Sequence, residues 1–234
     1  MPKASETVLS VLDNPIWNAL LSGNKEMAHS VGNAAYIRRD IGWFAGMKHN
    51  GPEELDELCL AMPANSSVIL FTPGEITIPD SWRIKVKRPV LQMIYEGKQI
   101  TVVDDPGIVP LGEQDIPAML ELTKMTNPGP FFSRTIEFGN YEGIFSSGQL
   151  IAMIGQRLKP YQFSEVSAVC THPDHIGHGY AAKLLMSQLS KITTASQIPF
   201  LHVYPENTGA CNLYWKLGFK TRKEILVYFL EQGI

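Results

Sequence analysis

Apolar and polar positions along the chain change period from segment to segment, and each period predicts an element. Leu184, Leu185, Leu189 and Ile192 recur at helical spacing, so an amphipathic helix is expected over 180–192. Another is expected over 207–217, where Asn207 can cap the start and Gly218 supplies a left-handed stop. Residues 112–122 carry Ile116, Met119, Leu120 and Leu122 on a helical pattern. Residues 52–60 open with acidic side chains, and Asp13-Asn14-Pro15 reads as a helix start with proline preset for the first turn. Apolar or alternating runs predict strands at 68–71, 82–86, 90–95, 165–170, 200–204 and 225–230, with Pro89 marking an edge or a break. The segments 141–145 and 149–157 flank Ser146-Ser147-Gly148, a hairpin signal. The class expected is α/β, with a mixed α+β sheet.

No internal repeat or low-complexity tract is visible. A chain of 234 residues makes one large domain or two small ones. The strongest boundary signal is the turn cluster Asp104-Asp105-Pro106-Gly107, followed by Pro110, which divides the chain into 1–105 and 106–234. The first part has no glycine-rich turn between a strand and a helix and nothing that reads as a reaction centre. Its aromatics (Trp17, Tyr36, Trp43, Phe44, Trp82) are expected in the core.

Composition narrows the function. Hydrophobic residues at 44% are enough to fill a core, which excludes a disordered chain. A net charge of -3 lacks the basic excess of a polyanion binder, so nucleic acid is not an expected partner. The apolar runs are far shorter than the roughly 20 residues of a membrane span. Asp13, Asn14 and Pro15 interrupt the only apolar N-terminal stretch, so no signal peptide is expected. Cys59, Cys170 and Cys211 are odd in number, with no Cys-x-x-Cys pair, which argues against a disulfide scaffold or a zinc site. A soluble cytoplasmic protein is expected.

The chemistry is concentrated in Glu165 to Ala181, E-V-S-A-V-C-T-H-P-D-H-I-G-H-G-Y-A. An apolar strand runs into Gly177-x-Gly179, and a helix opens at once. Two glycines let the backbone turn tightly and approach a ligand without a Cβ in the way. The free N–H groups of the first helical turn then converge where the helix dipole adds positive potential, forming an anion site suited to a pyrophosphate. No Gly-Lys-Ser/Thr ends the turn, which excludes a nucleotide-triphosphate P-loop, and G-x-G-x-x-G is absent. His172, His175 and His178 invite a metal reading, but Pro173 and Gly177 make their segment a loop and no carboxylate or cysteine cluster completes a site, so no metal is expected.

The stretch resembles motif A of the GNAT superfamily of acyl-CoA-dependent N-acyltransferases, Q/R-x-x-G-x-G/A, which falls on Ile176-x-x-Gly179-x-Ala181. Some thirty residues on, Asn207-Thr208-Gly209-Ala210-Cys211-Asn212-Leu213-Tyr214-Trp215-Lys216-Leu217-Gly218-Phe219 resembles motif B, N-x-x-A-x-x-L-Y-x-x-x-G-F. The resemblance spans about residues 108–230. Residues 149–157, followed by Phe163-Ser164-Glu165-Val166-Ser167, look like the branch typified by the C-terminal domain of glycine N-acyltransferase. In that branch a degenerate GNAT-like half often precedes the catalytic one, so the resemblance implies two tandem GNAT-like halves, 1–105 degenerate and 106–234 catalytic. Ile176 departs from the pattern, standing where the family has Arg or Gln.

The resemblance implies acetyl-CoA as co-substrate and a primary amine of a small molecule or amino acid as acceptor, reacting directly in a ternary complex. Its pyrophosphate would lie on the amides of Ile176, Gly177, His178, Gly179, Tyr180, Ala181 and Ala182. The oxyanion would lie near a main-chain N–H among Val169, Cys170 and Thr171, and Asn207 and Ala210 would border the coenzyme. Tyr214 occupies the position of the acid that protonates the departing thiolate, and periodicity alone equally allows it to be a core residue. Glu165, eleven residues before Ile176, matches a strand glutamate used as general base in some members, although a water relay or a solvated edge residue stays open. A base matters because an amine of pKa about 10.4 is only ~0.04% neutral at pH 7, against ~10% for one near 8. Arg134 is a candidate clamp for a substrate carboxylate, weighed against a salt-bridged surface arginine. An acyl-CoA sensor without turnover and a protein-lysine acetyltransferase are the alternative readings. Oligomeric state is left open.

Overall fold

A computed structural model describes residues 6–98, 100 and 105–233. The chain begins with two short helices, α1 (Glu6–Leu9) and α2 (Pro15–Leu20), the second opening on the expected proline. Strands β1 (Ala28–Val31), β2 (Ala34–Ile37) and β3 (Ala45–Met47) form a small antiparallel sheet that the sequence pattern had not indicated. Helix α3 (Pro52–Ala61) follows, then β4 (Ser67–Thr72) and β5 (Trp82–Tyr95). The remainder runs β6 (Val109–Pro110), α4 (Ile116–Thr126), β7 (Glu142–Ser146), β8 (Gln149–Gln156), β9 (Phe163–Thr171), α5 (Tyr180–Thr194), β10 (Ile198–Val203), α6 (Thr208–Leu217) and β11 (Phe219–Gln232).

Eight strands form one mixed sheet in the order β4-β11-β5-β10-β9-β8-β7-β6. Strands from both sides of residue 105 share it, because β5 lies between β10 and β11. Of the boundary segment, residues 101–104 lie outside the described residues.

Two expected breaks are absent. β5 is continuous through Pro89, and β11 runs for 14 residues from the helix stop at Gly218. Pro89 is tolerated because β10 pairs with β5 only from Leu91 onward, so one side of the strand is unpaired there. The polar run Lys220 to Glu224 hides the start of β11, but pairing with Tyr95 through Leu91 holds it in the sheet.

Alternate side chains of the central strands of the sheet feed two cores. Met153, Cys170 and Phe200 join α2 and α4 on one face, whereas Ala152, Ile154 and Leu201 join α5 and α6 on the other. β8 is buried on both faces, which explains its nearly unbroken apolar run. Among the described residues no helix is long and apolar enough to cross a membrane.

One irregularity shapes everything that follows. β9 and β10 are parallel and pair only from Ile198↔Phe163 to Phe200↔Glu165, after which they part. Just beyond that point the β8–β9 register slips between Met153↔Cys170 and Gly155↔Ser167, so Ala168 and Val169 together oppose Ile154. Ala168 sits at φ +52°. This bulge turns β9 away from its parallel neighbour and opens the sheet.

Candidate active site

The opening between the parted strands is a cavity of ≈ 230 Å³. Val166, Ser167, Ala168 and Val169 line it from β9, and His202, Val203 and Tyr204 line it from β10 and just beyond. Asn207 and Tyr214 of the α6 segment form part of its wall, and residues 126–130 after α4 form another. The remaining wall comes from Phe44, Ile69, Phe71, Val90, Val227, Phe229 and Arg157. The first four lie in the part of the sequence that showed no sign of a reaction centre, and that expectation is corrected: folding brings them to the cavity that β9 also lines.

The loop before α5 has the form expected of an anion site. Gly177 (φ +87°) and Gly179 (φ +79°) both adopt the left-handed region, and a Cβ at either would meet nothing within 4 Å. Of the amides expected here, that of Ile176 is taken, donating to the Pro173 carbonyl at 3.4 Å; those of Gly177 through Ala182 have no acceptor among the described residues, and the helical ladder begins when Lys183 N–H donates to the Gly179 carbonyl at 3.1 Å. These six N–H groups sit at the positive end of a 15-residue helix. Ile176 is exposed at 68%, so its side chain leaves the turn open. His175 and His178 stand beside the loop, and the His178 ring stacks on Tyr180 at 5.8 Å between centroids. The groups of this turn fit a diphosphate.

Tyr214 is buried in its helix stripe and packs edge-on against Phe219, yet it also lines the cavity. Its hydroxyl has no hydrogen-bond partner among the described residues. Burial, with smaller contributions from Cys170 and Cys211, raises it well above the ordinary tyrosine range, so it stays protonated and able to donate. Asn207 caps α6 by accepting from the Ala210 N–H at 3.2 Å. Of the other residues expected here, Val169 lines the cavity, Cys170 is buried in the core, and Thr171 ends β9. Burial pushes the Cys170 thiol up to about 11, which suits a small core side chain rather than a nucleophile.

Glu165 is fully buried and does not line the cavity. Its carboxylate accepts from Arg157 Nη2 (2.6 Å) and Nε (2.8 Å), from the Leu158 N–H (3.3 Å), and from His202 Nδ1 (2.6 Å). Burial by itself would raise this carboxyl, but Arg157 and then His202 outweigh it and hold it at about 2. The position expected to supply a base therefore holds a satisfied, weakly basic carboxylate outside the cavity lining. It is not a solvated edge residue.

Arg134 lies outside the cavity. It is exposed and pairs with Glu137 and with Asp40 (3.7 Å), as the surface alternative had it. The arginine that faces the cavity is Arg157, at the end of the β8 run, with its guanidinium 4.9 Å from the Phe44 ring centroid. Sequence reading passed over Arg157 and His202. The available signal was Glu165 itself, since a carboxylate within an apolar strand needs a buried partner.

A solved structure assigned to the GNAT family of acetyltransferases, from Novosphingobium aromaticivorans, is 34% identical and superposes with a TM-score of 0.88, covering 96% of this chain and 99% of that one. The chain belongs to the GNAT family. Residues 141–227 match the FR47-like protein family, a span from β7 through most of β11 that includes both motifs. The GNAT fold recurs in a GCN5-related N-acetyltransferase from Kribbella flavida (TM-score 0.59, 16% identity, 94% of this chain and 95% of that one). It recurs also in one from Sphaerobacter thermophilus (TM-score 0.50, 15% identity, 86% and 78%). No curated protein matches the sequence.

Proposed function

We propose that this GNAT-family protein transfers an acetyl group from acetyl-CoA to the primary amine of a small molecule or amino acid, by direct attack in a ternary complex. The observation that carries this reading is the presence together of an open amide turn, Gly177 to Ala182, and a cavity between splayed strands whose lining includes Tyr214 with its unpartnered hydroxyl. The likeness of residues 149–167 to the glycine N-acyltransferase branch supports an amino-acid acceptor, and the N-terminal residues act as the degenerate half by walling the acceptor side.

In this reading the turn holds the diphosphate and the thioester lies in the gap between β9 and β10. The bulge at Ala168 and Val169 takes backbone amides out of regular pairing, which frees a donor for the developing oxyanion. Tyr214 gives its proton to the thiolate as the carbon–sulfur bond breaks. Among the described residues no carboxylate lines the cavity, so the ammonium proton leaves through water. That favours an amine of lowered pKa over a lysine side chain.

Incubation with acetyl-CoA and a panel of amines is expected to release free CoA. No thioester consumption, together with no CoA binding by calorimetry, overturns the reading. Tight binding without turnover instead supports an acyl-CoA sensor, a reading favoured by the lack of a cavity-facing base.

A further inference from the structure

We infer that Arg157 receives the carboxylate of the acceptor, so that the acceptor is an amino acid with an apolar side chain; this rests on the acyl-transfer reading. Arg157 is the one charged residue among the described residues lining the cavity, apart from the largely buried His202, whose Nε2 accepts from Gln92 and whose Nδ1 proton goes to Glu165. A guanidinium carries five N–H groups in a rigid plane. Its Nε and Nη2 each donate to Glu165, which occupies one edge of the fork. The remaining three N–H groups have no acceptor among the described residues.

That arrangement is built to receive a second oxyanion. The Glu165 pair and the rings of Phe44 and Phe71, with centroids 4.9 and 5.9 Å from the guanidinium carbon, hold the plane still. The end of the fork opposite the side chain can then take a carboxylate with two parallel bonds. Donors left unsatisfied in a partly closed site are unfavourable, and a carboxylate satisfies them. Phe71, Val227 and Phe229 form an apolar stretch of the lining, which an apolar side chain fits. Arg157 and Glu165 already offset each other, and a zwitterionic acceptor adds no net charge. Pairing its carboxylate with Arg157 also weakens that carboxylate's hold on the neighbouring ammonium, easing loss of its proton.

The test measures CoA release by the full chain with acetyl-CoA and leucine, isoamylamine (the same skeleton without the carboxylate) or leucine methyl ester. Leucine is expected to exceed the other two in kcat/KM by at least about tenfold, and to exceed aspartate. Arg157→Lys keeps a cation against Glu165 but loses the fork, so KM for leucine rises while KM for acetyl-CoA holds. Equal rates for the three acceptors overturn the inference and leave acyl transfer standing. If none reacts, calorimetry decides: leucine binding to the CoA-loaded or free chain that Arg157→Lys abolishes supports the inference although transfer fails, and no binding overturns it.

Discussion

The side-chain amide of Gln92 fixes the tautomer of His202. Gln92 accepts from Arg222 Nη1 through its oxygen at 2.7 Å and donates through its nitrogen to the Leu12 carbonyl at 2.8 Å, so its orientation is determined. The same nitrogen lies 3.1 Å from His202 Nε2, which must accept, leaving the His202 proton on Nδ1 for Glu165. Burial lowers the His202 pKa further than Glu165 raises it, which agrees with a neutral ring. A continuous polar chain thus runs from Asp13, paired with Arg222 at 2.9 Å, to Arg157 in the cavity. Every link but the last group is satisfied by protein.

Removing the Tyr214 hydroxyl separates its two roles. Tyr214→Phe keeps the ring in its stripe and breaks no protein hydrogen bond, so stability is expected to stay within about 0.5 kcal/mol. As the acid, the hydroxyl's loss lowers kcat by roughly a hundredfold or more with KM for acetyl-CoA little changed. Steady-state kinetics alongside urea denaturation check this; unchanged kcat assigns Tyr214 to the core alone.

Glu165→Gln leaves Arg157 uncompensated. A loss of about 3–5 kcal/mol is expected, which lowers Tm by roughly 6–20 °C in a chain of this size. Far-ultraviolet circular dichroism during a thermal scan reads it directly.

Acid should destabilise the wild type in two stages. A group whose pKa is depressed on folding contributes stability that is present above its unfolded pKa and lost as pH falls toward the folded one. For His202 the loss begins below its ordinary value of 6.5, and for Glu165 it spans from 4.5 down to about 2. Urea midpoints are expected to hold from pH 8 down to about 6.5 and then to fall toward pH 3, and Glu165→Gln to flatten the lower part.

Gly179→Ala and Gly148→Ala form a matched pair. Both glycines have positive φ (+79° and +81°) and open space around them, so each substitution strains the backbone alone, at about 1–2 kcal/mol. Only Gly179→Ala is expected to weaken CoA binding, because only its turn presents the amides. Calorimetric titration of CoA into both variants decides it; equal losses of affinity contradict the anion site.

Ile176→Arg restores the side chain that related motifs carry. Because Ile176 is exposed, stability is expected to change by less than about 0.5 kcal/mol, while CoA binds several-fold more tightly and with a steeper salt dependence. An unchanged Kd at low and high salt counts against the diphosphate lying beside this turn.

Local patterns carried most of the catalytic frame. The amphipathic stripe of α5, the Asn207 and Gly218 ends of α6 and the hairpin glycine at 148 each act within a few residues, where periodicity and backbone preference decide. The small sheet of β1 to β3 escaped because its strands are three or four residues long, and an apolar run that short has no readable period.

By itself the sequence determined the turn that presents six amides, the helix that carries Tyr214, and the family to which both point, since these are contiguous in the chain. Tertiary structure alone decided which arginine faces the cavity, that Glu165 is buried outside its lining, and that Phe44 and Phe71 form part of its wall. Those relationships join strands far apart in sequence, such as β4, β9 and β10. They depend on where two parallel strands part, which pairing across the sheet sets and no local propensity records.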